Sequence, residues 1–288
     1  MITIENEQFS ATVDLRGAEL RSFKEKSTGR EMMWQADPEI WGGSAPILFP
    51  IVGKLRDGKT RINGQTYGIP KHGLVRTRTA KCIEQGRDVV VFSFSSDAET
   101  LQHYPFTFTL EVEFRLDGKQ LLIDYRVKNE GAEEMLFTIG SHPALALDLE
   151  QAALDGYDLE FEKPESLDLY GLTDGLLAFK QGGYLENNNC IRLSETLFDD
   201  DALIFKNIRS RRVRLKPRHR TGGLEIDLGN CPHLGIWAKP GAAYVCIEPW
   251  HSYDDAPDSN GNFENKPGIL RLAPAETFET GYAIRMVG

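Results

Sequence analysis

Cysteine is scarce in this sequence, and none of it has a spacing that suits a metal or redox site. The four cysteines are Cys82, Cys190, Cys231 and Cys246, and no two of them form a Cys-x-x-Cys pair. Zinc ribbons and dithiol redox motifs depend on that spacing, so neither is indicated. We expect reduced, mostly buried thiols, as is usual in the cytoplasm.

Long apolar runs and a leader-like N-terminus are also missing. No apolar stretch approaches the roughly 20 residues that a membrane-spanning helix requires. The segment Met1–Asn6 contains neither a basic region nor an apolar run, which argues against a signal peptide. The sequence therefore predicts a cytoplasmic protein.

Basic residues are fewer than acidic residues. The 288 residues include 33 Lys and Arg against 43 Asp and Glu, which gives a formal net charge of −10. An acidic surface repels phosphate backbones and anionic lipid, so we expect neither nucleic acid nor a membrane as a partner. A neutral small molecule is unaffected by this balance.

Motifs for the common covalent and phosphate-transfer reactions are absent. The sequence has no Gly-x-Ser-x-Gly, no phosphate-cradling glycine loop and no dinucleotide fingerprint. The histidines His72, His142 and His233 lie far apart, without His-x-His or His-Glu-x-x-His spacing. We therefore expect no cofactor and no metal site.

What the sequence does have is alternation of apolar and polar residues. Every second residue from Phe106 to Leu116 is apolar, and Leu121–Val127 resumes the pattern after Asp117 and Gly118. These two segments predict a hairpin of long, half-buried strands joined by a short turn. Further short strands are predicted at Val89–Ser95, Met135–Gly140, Val213–Leu215, Leu224–Leu228, Leu234–Trp237, Tyr244–Ile247, Ile269–Leu272 and Phe278–Arg285.

Signals for helix are weak by comparison. Ser96–Leu101, with Ser96 and Glu99 in a capping-box spacing, and Ser194–Asp201 each predict a turn or two of helix. Asp254–Asn265 is acidic and contains Asn and Gly, which predicts an exposed loop. Many strands with little helix indicate an all-β sandwich or large barrel. Without a repeat, linker or composition break, a single domain over residues 1–288 is the simplest interpretation.

Two histidines lie at predicted breaks in this β scaffold. His72 follows Pro70 and precedes Gly73, which predicts a loop position, so a solvated surface histidine is the plain alternative. His142 ends an apolar strand directly before Pro143, where the ladder stops, and a core histidine is its alternative. An imidazole at a strand end is well placed to face a cleft.

One glutamate stands out for its apolar setting. Glu248 closes the strand Tyr244–Ile247 and is followed by Pro249 and Trp250. An ionised carboxylate there is costly unless it is paired, and burial raises its pKa toward that of a general base. A structural ion pair is the alternative. Two imidazoles and a carboxylate without a nucleophile suit proton transfer.

At this point four motifs in order resemble the aldose 1-epimerase family, and its LacX-type branch in particular. They are Pro46–Gly53 (PILFPIVG), Lys71–Arg76 (KHGLVR), Ser141–Ala144 (SHPA) and Cys246–Trp250 (CIEPW). The resemblance runs over nearly the whole chain, and it is the ordered set of motifs that makes it specific.

The resemblance implies a galactose mutarotase-like β-supersandwich and an isomerase that interconverts the α and β anomers of an aldose without a cofactor. By analogy, Glu248 removes the proton of the anomeric hydroxyl and His142 protonates the ring oxygen as the ring opens. His72 hydrogen-bonds the sugar and supports the open-chain form.

The resemblance also suggests residues that bind the sugar. Lys54 stands where galactose mutarotases have an arginine, and an ammonium does not copy a bidentate guanidinium. Asp201 corresponds to an aspartate that holds sugar hydroxyls, although Asp199–Asp201 makes its register ambiguous. Arg76 completes a His-Gly-Leu-x-Arg pattern similar to one in hexose-6-phosphate epimerases, and with Lys54 it suits a phosphate. Trp237 and Trp250 are candidate pocket walls.

Several functions remain open on the sequence alone. A free aldose and a hexose 6-phosphate are both admissible substrates, and a sugar-binding or sensor protein shares the fold without turnover. A pure binder has no need of an acid–base pair, which favours an enzyme. A glycoside hydrolase requires two facing carboxylates, and only Glu248 has a convincing setting. The oligomeric state is not predicted.

Overall fold

Strands with alternating burial make up most of the described protein. The computed structural model describes residues 1–148 and 154–288. The strands in these residues are β1 (Ile2–Glu5), β2 (Phe9–Asp14), β3 (Glu19–Glu25), β4 (Ile47–Leu48), β5 (Lys59–Ile62), β6 (Gln65–Gly68), β7 (Lys81–Gln85), β8 (Val89–Ser95), β9 (Phe108–Asp117), β10 (Gln120–Asn129), β11 (Met135–Phe137), β12 (Gly140–Ser141), β13 (Ala144–Ala146), β14 (Tyr157–Thr173), β15 (Leu176–Arg192), β16 (Leu203–Phe205), β17 (Arg212–Pro217), β18 (Gly223–Asp227), β19 (His233–Trp237), β20 (Tyr244–Trp250), β21 (Leu270–Leu272) and β22 (Thr277–Val287). The all-β prediction is confirmed, and each predicted short strand overlaps an observed one.

Fifteen of these strands form one large antiparallel sheet. Its order is β4-β12-β20-β19-β16-β14-β17-β18-β22-β10-β9-β8-β7, with β13 added beside β20 and β15 beside β14. Three smaller sheets, β1-β2-β3, β11-β21 and β5-β6, complete the described strands. Strands distant in sequence therefore become neighbours, and β12, for example, lies between β4 and β20.

The predicted hairpin is the pair β9 and β10. Asp117 pairs with Gln120 across a two-residue turn in which Gly118 has a φ of +57°, a conformation that glycine adopts without steric cost. The strand begins at Phe108 rather than at Phe106, because the amide of Phe106 donates to the carbonyl of Tyr104 and leaves the ladder. Alternate residues on both strands are buried, as the sequence pattern predicted.

The single α-helix among the described residues, α1 (Thr100–His103), differs from its prediction. The Asp97 side chain accepts from the amides of residues 99 and 100, whereas Ser96 Oγ accepts from the amide of Phe108. The predicted Ser96 capping box is therefore wrong, because Ser96 is drawn to the neighbouring strand. In the described part of the chain, no helix combines the length and apolarity needed to cross a membrane.

No helix forms at Ser194–Asp201, where the sequence predicted one. The chain makes four-residue turns there, with the Leu197 amide donating to the Ser194 carbonyl and the Asp201 amide to the Phe198 carbonyl. Asp201 has a φ of +77°, outside the right-handed helical region. This turn leads directly into β16.

Apolar side chains pack into one large cluster and two smaller ones. The large cluster draws on strands from β1 to β22. One small cluster joins residues of β4, β16 and β20, including Leu48, Ile204 and Trp250. The other joins Tyr244 and Cys246 of β20 to aromatic side chains that precede β4. The functional site described below lies where these two small clusters meet. The single-domain interpretation stays a prediction.

Candidate active site

The four sequence motifs lie side by side in the structure. Gly140 on β12 pairs with Leu48 on β4 and, on its other side, with Trp250 on β20. The segment that carries His72 joins this group through the carbonyl of Phe49, which accepts from the amide of Leu74 at 2.8 Å. Residues up to about 200 positions apart in sequence thus share one patch of sheet.

The register of these strands brings His142 to Glu248. Ala144 pairs with Cys246, and Gly140 pairs with Trp250, so the same antiparallel register, continued between the two pairs, sets His142 opposite Glu248. Directly opposed side chains on neighbouring strands are in contact range. The distance from His142 Nε2 to Glu248 Oε2 is 3.4 Å.

The sequence predicted that Glu248 closes its strand. In the structure, Glu248 lies within the strand. Strand β20 continues through Pro249 to Trp250 because β19 pairs with it along this length, Gly235 with Glu248 and His233 with Trp250. Only 1% of Glu248 is exposed. The backbone of Glu248 is therefore fixed within the sheet, and its side chain is buried.

His72 is held by the backbone of Gly53. The Gly53 amide donates to His72 Nδ1 at 3.2 Å, and the His72 amide donates to the Gly53 carbonyl at 2.9 Å. Because Nδ1 accepts, the proton of the neutral ring is on Nε2, which is then a donor. His72 is 7% exposed, so the alternative of a solvated surface histidine is wrong. Its ring centroid lies 5.7 Å from that of His142.

These side chains line a cavity of about 320 Å³. Its walls contain seven of the eight residues that the sequence suggested: His72, Arg76, His142, Asp201, Trp237, Glu248 and Trp250. Six further residues that sequence reasoning did not select also line it: Trp41, Pro46, Lys71, Leu172, Ala202 and Asp254.

Lys54 is the exception among the suggested residues. Its ammonium donates to the carbonyl of Asp174 at 2.7 Å, in the turn between β14 and β15, and Lys54 is not part of the cavity wall. Its backbone amide instead donates to Asp254 Oδ1 at 2.6 Å. The side chain therefore points away from the cavity while the backbone supports it.

Tryptophan side chains form the apolar walls. The Trp41 ring lies over His142, with centroids 5.0 Å apart and an interplanar angle of 31°. Trp237 meets the same imidazole edge-on at 5.8 Å and 80°. Trp41 was missed because it lies outside the four motifs, in a segment without periodicity.

Asp254 was missed because it was assigned to an exposed loop. It is 2% exposed, and the next residue, Asp255, forms a buried ion pair with Lys266 at 3.0 Å. This pair pulls the start of the loop against the sheet. The only sequence signal for Asp254 is its place six residues after Glu248.

Burial opposes charge on all three proton-transfer candidates. The pKa of His142 falls to about 3, chiefly through burial, with Lys71 and Arg76 lowering it further. Burial also takes the pKa of His72 well below its usual value, helped by the charge of His142. The pKa of Glu248 is well above its usual value because of burial, with Asp254 and Asp201 adding to the shift. The cavity thus favours neutral forms of these groups.

Three buried polar atoms at this cavity have no hydrogen-bond partner within the described structure. They are His142 Nδ1, Glu248 Oε2 and Trp250 Nε1. Buried polar atoms are nearly always hydrogen-bonded, because an unmade bond costs about 1–3 kcal/mol. Donors and acceptors left open together in one cavity are available to water or to a polar ligand.

One trio of side chains has the composition of a metal site. The potential ligand atoms of His142, Cys246 and Glu248 lie within 4.8 Å of one another. Burial raises the pKa of the Cys246 thiol well above its usual value, and metals bind the thiolate rather than the thiol. The absence of a metal therefore stays a prediction.

Comparison with known proteins agrees with the motif resemblance. The family model of aldose 1-epimerase matches residues 1–276. The plasmid and chromosomal LacX proteins of Lactococcus lactis subsp. lactis are each 33% identical over 297 aligned positions, covering 99% of both chains.

Solved structures show the same fold. A galactose mutarotase related enzyme from Lactobacillus acidophilus matches 99% of this chain and 96% of its own with a TM-score of 0.94 at 31% identity. A galactose mutarotase-like protein from Lactobacillus casei matches 99% of each chain with a TM-score of 0.91 at 28% identity. The predicted galactose mutarotase-like fold and LacX-type resemblance are confirmed, and the chain belongs to the aldose 1-epimerase family.

Proposed function

We propose that this protein is an aldose 1-epimerase that interconverts the α and β anomers of a hexose by general acid–base catalysis. The observation that carries the proposal is the contact between His142 and Glu248 inside a cavity of sugar size. Family membership supports the reaction class, and the three unpartnered polar atoms support a hydroxyl-rich ligand.

The reaction moves two protons and breaks one bond. Ionised Glu248 takes the proton of the anomeric hydroxyl, protonated His142 gives its proton to the ring oxygen, and the bond between the anomeric carbon and that oxygen breaks. The product is an open-chain aldehyde. Rotation about the first carbon–carbon bond and the reverse transfers close the ring with the opposite configuration. General acid–base transfer of this kind is worth about 10²- to 10⁴-fold for each partner.

The proximity of the two groups explains how the charged form arises. The pair has to hold one proton, and in the empty cavity burial favours the neutral arrangement, with that proton on Glu248. A shift of this proton to His142 across the 3.4 Å contact produces the base and the acid together. Hydrogen bonds from the sugar oxygens then replace the water that the charged His142 and Glu248 side chains lack.

The remaining cavity residues bind and position the sugar. The His72 tautomer set by Gly53 presents an Nε2 donor for a sugar oxygen. Asp201 and Asp254 offer carboxylate oxygens to hydroxyl groups, and Trp41, Trp237 and Trp250 offer apolar surface to the faces of the ring. A cytoplasmic location, predicted from the sequence, belongs to this proposal.

Relaxation of pure anomers tests the proposal directly. We expect the protein to accelerate the approach of α-glucose and α-galactose solutions to anomeric equilibrium, followed by polarimetry or by NMR exchange spectroscopy. A sugar-binding or sensor protein would bind these sugars without changing the relaxation rate. Binding without acceleration for every aldose and aldose phosphate would overturn the proposal.

A further inference from the structure

Three buried side chains at the proposed proton pair have the composition of a zinc site, and we propose that added zinc binds there and stops anomer exchange. The ligands are His142, Cys246 and Glu248. Zinc acts at this site as a reversible inhibitor and not as a resident cofactor. The metal site follows from the geometry alone, whereas the inhibition rests on the proposed function, because it requires that His142 and Glu248 transfer the protons.

Strand register places the three ligands together. Cys246 and Glu248 are two residues apart on β20, so their side chains leave the same face of the sheet. His142 lies two residues before Ala144, which is the partner of Cys246 on the neighbouring strand β13. The potential ligand atoms of the three side chains consequently lie within 4.8 Å of one another. In residues 1–148 and 154–288, this is the one group of three such side chains that is close enough to share an ion.

The distances suit tetrahedral zinc. Bonds of about 2.0–2.2 Å from zinc to nitrogen and oxygen place two such ligands roughly 3.4 Å apart. His142 Nε2 and Glu248 Oε2 are 3.4 Å apart in the structure. A zinc–sulfur bond of about 2.3 Å places a thiolate roughly 3.6 Å from each of them. The Cys246 side chain therefore needs a shift on the order of 1 Å at most to complete the site.

The charges of the ligands match a divalent ion. Glu248 Oε2 is buried and has no hydrogen-bond partner among the described residues, so this ligand atom is free to bind an ion. Cys246 is buried as well. A divalent ion held by one carboxylate, one thiolate and one neutral imidazole forms a complex without net charge. Such a complex avoids the large cost of a buried, uncompensated charge.

The same ligands favour zinc but limit its affinity. Zinc binds sulfur, nitrogen and oxygen, whereas magnesium and calcium prefer oxygen alone. Burial raises the pKa of the Cys246 thiol, so zinc has to displace its proton. His142 Nδ1 has no acceptor among the described residues, although a zinc-bound imidazole normally has one on its other nitrogen. We therefore expect a dissociation constant on the order of 1–10 µM, which leaves the resting protein free of metal.

A bound zinc ion blocks the proposed reaction at both proton carriers. His142 and Glu248 line the cavity, which gives the ion its path to the site. The ion takes the lone pairs with which these two side chains accept a proton. A water molecule from the cavity fills the fourth position of a tetrahedral ion, because the trio supplies only three ligands.

Titration of the untagged protein with cobalt(II) and zinc tests the site. Cobalt(II) replaces zinc in tetrahedral sites, and a thiolate ligand gives it a charge-transfer band in the near ultraviolet. We expect one equivalent of cobalt to produce this band and zinc to abolish it. Cys246→Ala should remove the band and weaken zinc binding at least about 100-fold. Cys231→Ala is the matched control, because Cys231 is also buried but contacts Thr280 outside the trio.

Anomer exchange gives a second measurement. Zinc at about ten times its dissociation constant should slow exchange about tenfold in the wild type and in Cys231→Ala, and a chelator should restore it. Magnesium should have no effect. Cys246→Ala keeps both proton carriers, so it should exchange anomers at nearly the wild-type rate and resist zinc. If this variant does not fold, Glu248→Gln replaces it in the cobalt titration, where loss of the anionic ligand should weaken binding at least about tenfold.

The outcomes separate the metal site from the proposed function. No cobalt band and no zinc binding up to about 1 mM, or binding unchanged by Cys246→Ala, would overturn the metal site and leave the epimerase intact. A cysteine-dependent band in a protein that exchanges no anomers would support the metal site and contradict the proposed function. Zinc that occupies the site without slowing exchange would overturn the inhibition and, with it, the roles of His142 and Glu248.

Discussion

At the scale of single residues, burial controls the chemistry of the cavity more than sequence neighbours do. His142 and Glu248 are almost fully enclosed, and each has its pKa moved toward the neutral form. Neither residue has an adjacent charged residue in sequence that would predict this. The reactivity proposed for them arises from a contact between two strands and from the low-dielectric surroundings of that contact.

Removing the carboxylate should stop anomer exchange without unfolding the protein. We expect Glu248→Gln to lower the exchange rate by at least about two orders of magnitude, because the base that accepts the anomeric proton is lost. Glu165→Gln is a matched control: Glu165 is equally buried but accepts from the amides of Arg209 and Ser210, outside the cavity. The control should lose stability in urea and retain exchange. Near wild-type exchange in Glu248→Gln would contradict the base assignment.

The two histidines should differ in the kinetic constant that they affect. His142→Ala should act mostly on kcat, by roughly 100-fold or more, because its proton is transferred only in the transition state. His72→Ala should change kcat and KM together, since the proposal gives His72 a role in sugar binding as well. His251→Ala, which removes a buried histidine bonded to Thr280, should leave both constants near their wild-type values. Unchanged exchange in both cavity variants would place the site elsewhere.

The pKa shifts predict an unusual pH profile. The pair loses its single proton only as pH rises through the elevated pKa of Glu248, and it gains a second only near pH 3, the pKa of His142. We therefore expect kcat/KM to show no inflection from His142 near pH 6.5, the usual histidine value, because that imidazole gains its proton only near pH 3. Circular dichroism at each pH serves as the control for folding. A titration near pH 6.5 that disappears in His142→Ala would contradict the burial argument.

At the scale of elements, one short turn after β4 connects two parts of the cavity. Gly53 donates to His72 Nδ1, and the next amide, that of Lys54, donates to Asp254. Gly53 has a φ of +74°, and an added Cβ would lie 2.5 Å from Asp254 Cγ. Only glycine satisfies both the conformation and the close approach.

Gly53→Ala should therefore damage activity more than stability alone explains. We expect Gly64→Ala to lose about 1–2 kcal/mol of unfolding free energy because of its positive φ, and Gly53→Ala to lose more, because its added Cβ also collides with Asp254. Gly64 has open space around its Cα, so the difference between the variants isolates the collision with Asp254. Anomer exchange should fall at least about tenfold further in Gly53→Ala. Equal exchange rates in the two variants would show that the turn does not position the cavity.

Glycines on the neighbouring strands also leave room for the Trp250 side chain. Gly235 on β19 lies under the Trp250 ring, where an added Cβ would come within 2.6 Å of ring carbons, and Gly140 on β12 lies beside Cδ1 of the same indole. The two strands that flank β20 thus leave room for one large side chain. This room sets the Trp250 indole at the cavity wall, where its Nε1 atom makes no hydrogen bond of normal geometry to the described residues.

At the scale of the whole molecule, the proposed reaction needs no group that the chain itself does not supply. We expect exchange to persist after prolonged treatment with a chelator, because buried Cys246 holds its proton and completes the trio with His142 and Glu248 only as a thiol. Metal content measured by mass spectrometry before and after treatment is the control. Loss of exchange with a chelator and its recovery with a divalent ion would contradict this expectation.

The sequence by itself determined the class of structure and the main chemical groups. Alternating apolar residues specify strands because each strand buries one face. His72 and His142, at predicted breaks in that pattern, and Glu248, in an apolar segment, were marked without any tertiary information. The pattern failed in the long hairpin of β14 and β15, where repeated register shifts interrupt the alternation.

Only the tertiary structure decided which residues share the cavity with His72, His142 and Glu248. It directed the Lys54 side chain away and brought Lys71, Trp41 and Asp254 to the wall, and it left Arg76 without an acid partner. These outcomes depend on strand register and on turns that join segments up to 200 residues apart, such as Lys54 to Asp254. The direction of a side chain follows from such long-range hydrogen bonds. Neither hydrophobic periodicity nor local propensity predicts these bonds.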